Sequence, residues 1–293
     1  MSGPRPAPRI AVVGHVEWVD FAVVPRLPHP GEILHADEHF AAPGGGGAVA
    51  AIQAKRLAGE ALFLTAVGDD ELAERAEREL AGVYGVEVHA ARRDRPQRRA
   101  FTYLDTAAER TITVLGERLV PHGDDPLPWE RLSDVDAVYF TGGDPAALRA
   151  ARCARVLVAT PRALDTLAAA HVQIDVLVAS ASDPGERVAP GAIEPPPHVV
   201  ALTEGAEGGR WAVVTPAERG AAAERARWDA TEGRWAAADP PGPPVDAYGC
   251  GDSFAVGLTY ALGANLPLDE ALAFAARCGA TCLAGRGPYG RPL

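Results

Sequence analysis

Lysine is almost missing: Lys55 is the one lysine among 28 basic residues in this 293-residue chain. With alanine abundant throughout, that scarcity reads as the coding bias of a GC-rich genome rather than as a functional signal. Positive charge is also the minority, with 39 acidic residues and a formal net charge of −11, which argues against nucleic acid or an anionic membrane as the main partner. Cysteine is scarce and scattered. Cys153, Cys250, Cys278 and Cys282 contain no Cys-x-x-Cys pair, so no zinc site is expected, and a reducing, cytoplasmic compartment fits best. Cys278 and Cys282, four apart on an expected helix, read as small buried residues. No run of 18 apolar residues exists, so no membrane span is expected. The stretch Met1 to Arg9 lacks an apolar centre and does not read as a signal peptide. Internal repeats are absent too.

What is present is a hydrophobic fraction of 47%, enough for a substantial core, in an order that suggests one α/β domain over residues 1–293. Ile10 to Gly14 reads as a short buried strand ending in a tight turn, and Ala61 to Val67 as another. Between them, Gly44 to Gly47 lead into a helix, Ala48 to Ala58, that stops at Gly59. From Val135 onward strands and helices alternate through Val199 to Thr203, which implies a mostly parallel central sheet flanked by helices. Two last helices are expected over Asp252 to Leu262 and Leu268 to Leu283. Pro195 to Pro197 and Pro240 to Pro244 read as loops too short to divide the chain. Strands at 17–42, including Ile33 to Phe40, and at 99–115 are interrupted and half polar. They suit a small β lid over the body, one that would exclude water from a reaction beneath it.

The most informative stretch is Asp246-Ala-Tyr-Gly-Cys-Gly-Asp252-Ser-Phe-Ala-Val-Gly-Leu-Thr. Amides at a helix N-terminus have no intrahelical acceptor and sit at the positive end of the dipole, so they attract an anion. Gly249 and Gly251 let the backbone come close to a phosphate. Asp252 would repel that phosphate unless it has a task, and the fitting one is to take a proton from an attacking hydroxyl. The same residues also fit a loop that ends in an Asp or Ser N-cap.

The stretch from Asp246 to Leu258 resembles the C-terminal signature of the ribokinase-like (PfkB) carbohydrate kinases, and the resemblance extends over nearly the whole chain. Leu27-Pro-His-Pro-Gly-Glu32 resembles the family's lid entry, Pro43-Gly-Gly-Gly-Gly-Ala48 its sugar-binding glycine run, and Gly68-Asp-Asp-Glu71 its Gly-x-Asp turn. Leu202-Thr-Glu-Gly-Ala-Glu-Gly-Gly209 resembles the strand and turn along the nucleotide. The resemblance implies transfer of a phosphoryl group from ATP to a hydroxyl of a sugar or related small molecule. Asp252 would be the base, with the amides of Gly249, Cys250 and Gly251 as anion hole. Thr203, Gly205, Gly208 and Cys278 would bind ATP, and Gly44, Gly45 and Gly46 the acceptor, with Asp20 or its rival Glu17 holding hydroxyls.

Val49 stands where the family carries an asparagine on the sugar, so an acceptor with an apolar or deoxygenated edge is expected in place of ribose. The family's Asn-x-x-Glu element, which orders Mg2+ and its waters, would fall at Ser180-Ala-Ser-Asp183. Asp183 would then support the metal through water or merely open a turn before Pro184. Gly285-Arg-Gly-Pro-Tyr-Gly290 resembles the loop at a monovalent cation site. Arg110 reads either as a lid residue reaching the phosphate or as a surface arginine. A homodimer through the lid is the expected assembly. Other readings remain open: a nucleoside kinase of the same fold, or a homologue that binds sugar or nucleotide but has weakened turnover. A dinucleotide-dependent oxidoreductase fails because the spaced third glycine is missing after Gly44 to Gly47.

Overall fold

In the first strand, β1 (Ile10–Val13), every residue is buried, and the same holds for β8 (Ala137–Phe140) and β9 (Val156–Ala159). Such continuous apolar runs arise when a parallel sheet is covered on both faces. Strand alternation divides the side chains between two layers. Ile10, Val12, Tyr139 and Val158 join one core, with α1 (Gly45–Ala58), α2 (Glu71–Gly82), α5 (Cys250–Gly263) and α6 (Leu268–Leu283). Val13, Phe140 and Leu157 join the other, with α3 (Pro145–Ala151) and α4 (Leu164–Ala170). The computed structural model describes residues 6–214 and 231–290.

The large sheet has nine strands. Seven run parallel, in the order β5 (Glu87–Arg92), β4 (Leu62–Val67), β1, β8, β9, β10 (Val176–Ser180) and β11 (Val199–Thr203). Two antiparallel strands, β12 (Gly209–Val213) and β13 (Glu232–Trp235), finish the far edge. The expected α/β architecture, a mostly parallel sheet flanked by helices, is therefore present. The helix ends follow their sequence signals. Gly59 closes α1 in the left-handed region at φ 79°, and the Asp70 side chain accepts the Ala73 amide at the start of α2.

The lid is a separate four-stranded sheet, ordered β3 (Glu38–Gly44), β2 (Glu17–Val23), β6 (Arg99–Leu104) and β7 (Arg110–Leu115). Its inner face packs Val19, Phe21 and Ala100 against Val49 and Tyr248 of the body. The Phe21 ring stacks on Phe40 at 4.6 Å and meets Tyr248 edge-on at 5.0 Å.

One expectation changes. The third strand begins only at Glu38, because Pro25, Pro28 and Pro30 cannot donate to a ladder; Ile33 lies 88% exposed outside it. Among the described residues β5 is one edge of the large sheet, parallel to β4. The two antiparallel strands β12 and β13 were not legible, since each is short and glycine interrupts its pattern.

Candidate active site

The helix α5 starts at an unusual corner. Gly249 holds φ 77°, and a Cβ there would lie 2.8 Å from Val49 Cγ1, so both conformation and space demand glycine. Among the described residues no side chain caps this helix; the Cys250 amide donates a long hydrogen bond of 3.4 Å to the Ala247 carbonyl, and a Cβ on Gly251 would meet nothing within 4 Å. An anion would meet amides and the positive dipole end here. Asp252 sits in this first turn, and its Oδ1 accepts a hydrogen bond of 3.1 Å from the Tyr139 hydroxyl. Burial, with the Asp252 charge, pushes the Tyr139 phenol well above its ordinary range, so it stays a donor and fixes the carboxylate. From the lid, Arg110 Nη1 donates to the Ala247 carbonyl at 2.9 Å, which lays its guanidinium over the same turn.

The glycine run forms the floor beside Asp252. Gly45, at φ 80°, donates its amide to the buried Tyr248 hydroxyl at 2.8 Å. A Cβ on Gly45 would press on His15 and Glu17 at 3.0–3.1 Å; one on Gly46 would lie 2.8 Å from Thr141 Oγ1 and 3.0 Å from Asp252 Oδ1. The floor therefore touches Glu17 and His15 on one side and the carboxylate of Asp252 on the other. His15 Nδ1 and Thr141 Oγ1 are buried without a hydrogen-bond partner among the described residues, an arrangement that a hydroxyl-bearing ligand would satisfy.

Glu17 and Asp20 lie three residues apart on β2, hence on opposite faces of the lid sheet. Glu17 faces inward, 2.7 Å from Arg98 Nε and 3.5 Å from His15 Nε2. Its burial works against ionisation, but the His15 hydrogen bond and the neighbouring arginines hold its pKa below the ordinary value. Burial lowers that of His15, which favours the neutral ring. Asp20 lies on the other face with Arg99 and His39, away from this floor. Val49 is 1% exposed and is used up packing the lid core and Gly249, so it offers no apolar edge to a ligand.

At the far side of Asp252, Asp183 caps its own turn through the Gly185 amide and pairs with Arg162 at 2.6 Å. The better-placed carboxylate is Glu186, unremarked in the sequence. It accepts the Ser180 amide at 2.7 Å, pairs with Arg162 Nε at 2.8 Å, and has a pKa raised by burial with Asp183 and Asp252 adding to the rise. Asp183-Pro-Gly-Glu186 has the spacing of the family's Asn-x-x-Glu element, with aspartate in place of the asparagine, three residues beyond Ser180-Ala-Ser-Asp183. Among the described residues no three His, Cys, Asp or Glu side chains cluster tightly enough to hold a metal alone. A divalent ion here would rely on phosphate oxygens and water, with carboxylates at second remove. Asp246 is fully buried; one oxygen accepts the Tyr248 amide, while Oδ2 has no partner among the described residues and faces Gly287. Burial lifts its pKa to about 6. That orphaned oxygen beside the Gly285 to Gly290 loop fits a monovalent cation.

The nucleotide side is mixed. Thr203 ends β11, and Gly205, exposed at φ 61°, and Gly208, at φ 82°, shape the turn that follows. Cys278 is 3% exposed and its sulfur lies against Gly257 in the α5–α6 interface, a packing position with no open face toward a nucleotide. His15, Arg98, Arg118, Thr141, Tyr139 and Arg162 carried no motif in the sequence; only folding brings them together.

A family model described as pfkB family carbohydrate kinase matches residues 7–292. No curated protein sequence matches the chain. Among solved structures, an Arabidopsis thaliana ribokinase complexed with ribose and ATP is 18% identical, with a TM-score of 0.67, covering 96% of this chain and 94% of that one. A Methanocaldococcus jannaschii nucleoside kinase is 14% identical, with a TM-score of 0.68 and coverage of 98% and 96%. A microbiome-derived acarbose kinase reaches 19% and a TM-score of 0.75, again covering 98% and 96%.

Proposed function

Because this chain belongs to the pfkB family of carbohydrate kinases, we propose that it transfers the γ-phosphoryl group of ATP to a hydroxyl of a sugar or related small molecule, with Asp252 as the base. The observation that carries this reading is the placement of Asp252. It stands in the open first turn of α5, oriented by Tyr139 and in contact with the glycine floor.

The acceptor hydroxyl lies over Gly45 and Gly46, where Asp252 Oδ1 takes its proton as the oxygen attacks. Amides from Gly249, Cys250 and Gly251 stabilise the charge on the transferring group, and Arg110 adds a cation from the lid. Glu17 anchors a neighbouring hydroxyl. ATP lies along the turn after β11, at Thr203, Gly205 and Gly208. Bound Mg2+ would neutralise phosphate charge, and Glu186, with Asp183 beside it, would hold its water shell. Asp246 would hold a monovalent cation. The reading of a homologue with weakened turnover rests on the altered Ser180 to Asp183 element; Glu186, three residues beyond Asp183, is a glutamate that could take up the expected role there.

Asp252→Asn tests the assignment. The variant should keep its fold and ATP affinity while kcat falls by roughly 10²–10⁴, the range for loss of a general base. Near-normal turnover on any acceptor the parent phosphorylates would reject it.

A further inference from the structure

We infer that the acceptor carries an anionic group, a carboxylate or a phosphate, seated by the guanidinium groups of Arg98 and Arg118; this inference rests on the kinase reading above. Most arginines in the structure close on carboxylates. Arg162 is held by two, Asp183 and Glu186. Arg93 is held by Asp125, and Arg152 by Asp175. Arg118 differs. It is partly buried and donates Nη1 to the Arg162 carbonyl at 2.8 Å, yet forms no ion pair among the described residues. The charges that act on it are those of Arg98, a like charge, and of Glu17, Arg162 and Asp252.

Arg98 is little better served. Its side chain is 15% exposed, and its Nε, although 2.7 Å from Glu17, does not point at the carboxylate and makes no hydrogen bond. The acceptor end of the site thus holds two guanidinium groups against one carboxylate, beside a neutral-favouring His15, in a protein of net charge −11. Crowding cations in a partly desolvated place is costly, and burial together with Arg98 lowers the pKa of Arg118 accordingly. An oxyanion between the two would remove that cost, since planar guanidinium forks match carboxylate and phosphate oxygens.

The position of Arg118 separates this anion from the phosphates of ATP. The anion hole lies at Gly249 to Gly251, where Arg110 donates to the Ala247 carbonyl at 2.9 Å. The segment bearing Arg118 runs along the acceptor floor instead. Val120 packs 3.3 Å from a built Cβ on Gly142, and that point is 3.8 Å from His15 Nδ1. The far side of Asp252, with Asp183 and Glu186 against Arg162 alone, carries the opposite excess and suits a metal ion.

The test uses the purified full chain with ATP and Mg2+ on three matched pairs: ribose and ribose 5-phosphate, fructose and fructose 6-phosphate, glucose and glucuronate. ADP release gives kcat/KM, and thermal shift without nucleotide gives binding. At least one charged member should exceed its neutral partner by roughly 10-fold or more, and the phosphate and carboxylate arms separate the two sources of the charge. Arg118→Gln should collapse that preference by roughly 10–100-fold, mainly through KM, with Arg118→Lys restoring part of it. Phosphorylation of neutral sugars with no charged preference, or a preference that survives Arg118→Gln, overturns the inference and leaves the kinase reading standing. If no acceptor is phosphorylated, the kinase reading fails on this panel. The thermal shift then decides the inference alone: stabilisation by a charged member that Arg118→Gln abolishes upholds it, and its absence overturns it.

Discussion

Asp183 and Glu186 share one turn but keep different company. Asp183 caps the turn and leans on the outer edge of Arg162, whereas Glu186 is folded back onto the Ser180 amide with only 11% of its side chain exposed. If Glu186 orders the water shell of Mg2+, Glu186→Gln should raise the Mg2+ needed for half-maximal rate by roughly 10-fold or more, the scale of lost outer-shell support, and Asp183→Ala by less. Initial rates across a Mg2+ titration measure both; identical curves for parent and Glu186→Gln would make Glu186 a structural residue. At this scale the sequence was legible where a residue type is tied to backbone geometry. The corner at Gly249 and the placement of Asp252 at a helix start could be read because glycine and helix amides carry their chemistry locally. Tyr139, Arg98 and Arg118 could not, because each reaches the site from a different element and nothing in its own neighbourhood marks it. Asp20 and Glu17 could be told apart only once the register of β2 was known.

The packing of α5 on α6 turns on one glycine. A Cβ on Gly257 would lie 2.7 Å from Cys278 Sγ and 3.3 Å from the Ala275 backbone, so the two helices meet at a point where neither can yield easily. Gly257→Ala should therefore destabilise the protein by about 1–3 kcal/mol through overpacking, despite the better helix propensity of alanine. Urea unfolding would show it, and a gain in stability would mean that Cys278 moves aside freely. The element also explains why a cysteine on this helix reads poorly from sequence: its burial suits packing and ligation alike until its neighbour is known. Long amphipathic segments were the most legible, and Leu268 to Leu283 was read to its ends. The short antiparallel edge β12–β13 was not. Its place comes from pairing with β11 rather than from a pattern of its own.

On the scale of the whole molecule, the lid leaves an edge. Every residue of β7 is exposed, including Ile112 at 40%, Val114 at 43% and Leu115 at 48%. An unpaired apolar edge strand invites a partner, and we propose that two copies meet through their lids. Sedimentation should give a dimer mass at micromolar concentration, and Val114→Glu should shift it to the monomer; a parent that is monomeric throughout would dismiss the proposal. The join between lid and body has a further consequence. β3 ends at Gly44 and α1 begins at Gly45 with no residue between them, and the Gly45 amide is already committed to Tyr248. The lid thus has no slack leash on this side. On the proposed reading, any swing of the sheet would turn the peptide beneath the acceptor, so docking and cover would operate as one gear. A water molecule, too small to press on both at once, would not engage it, which would guard a bound nucleotide against idle hydrolysis.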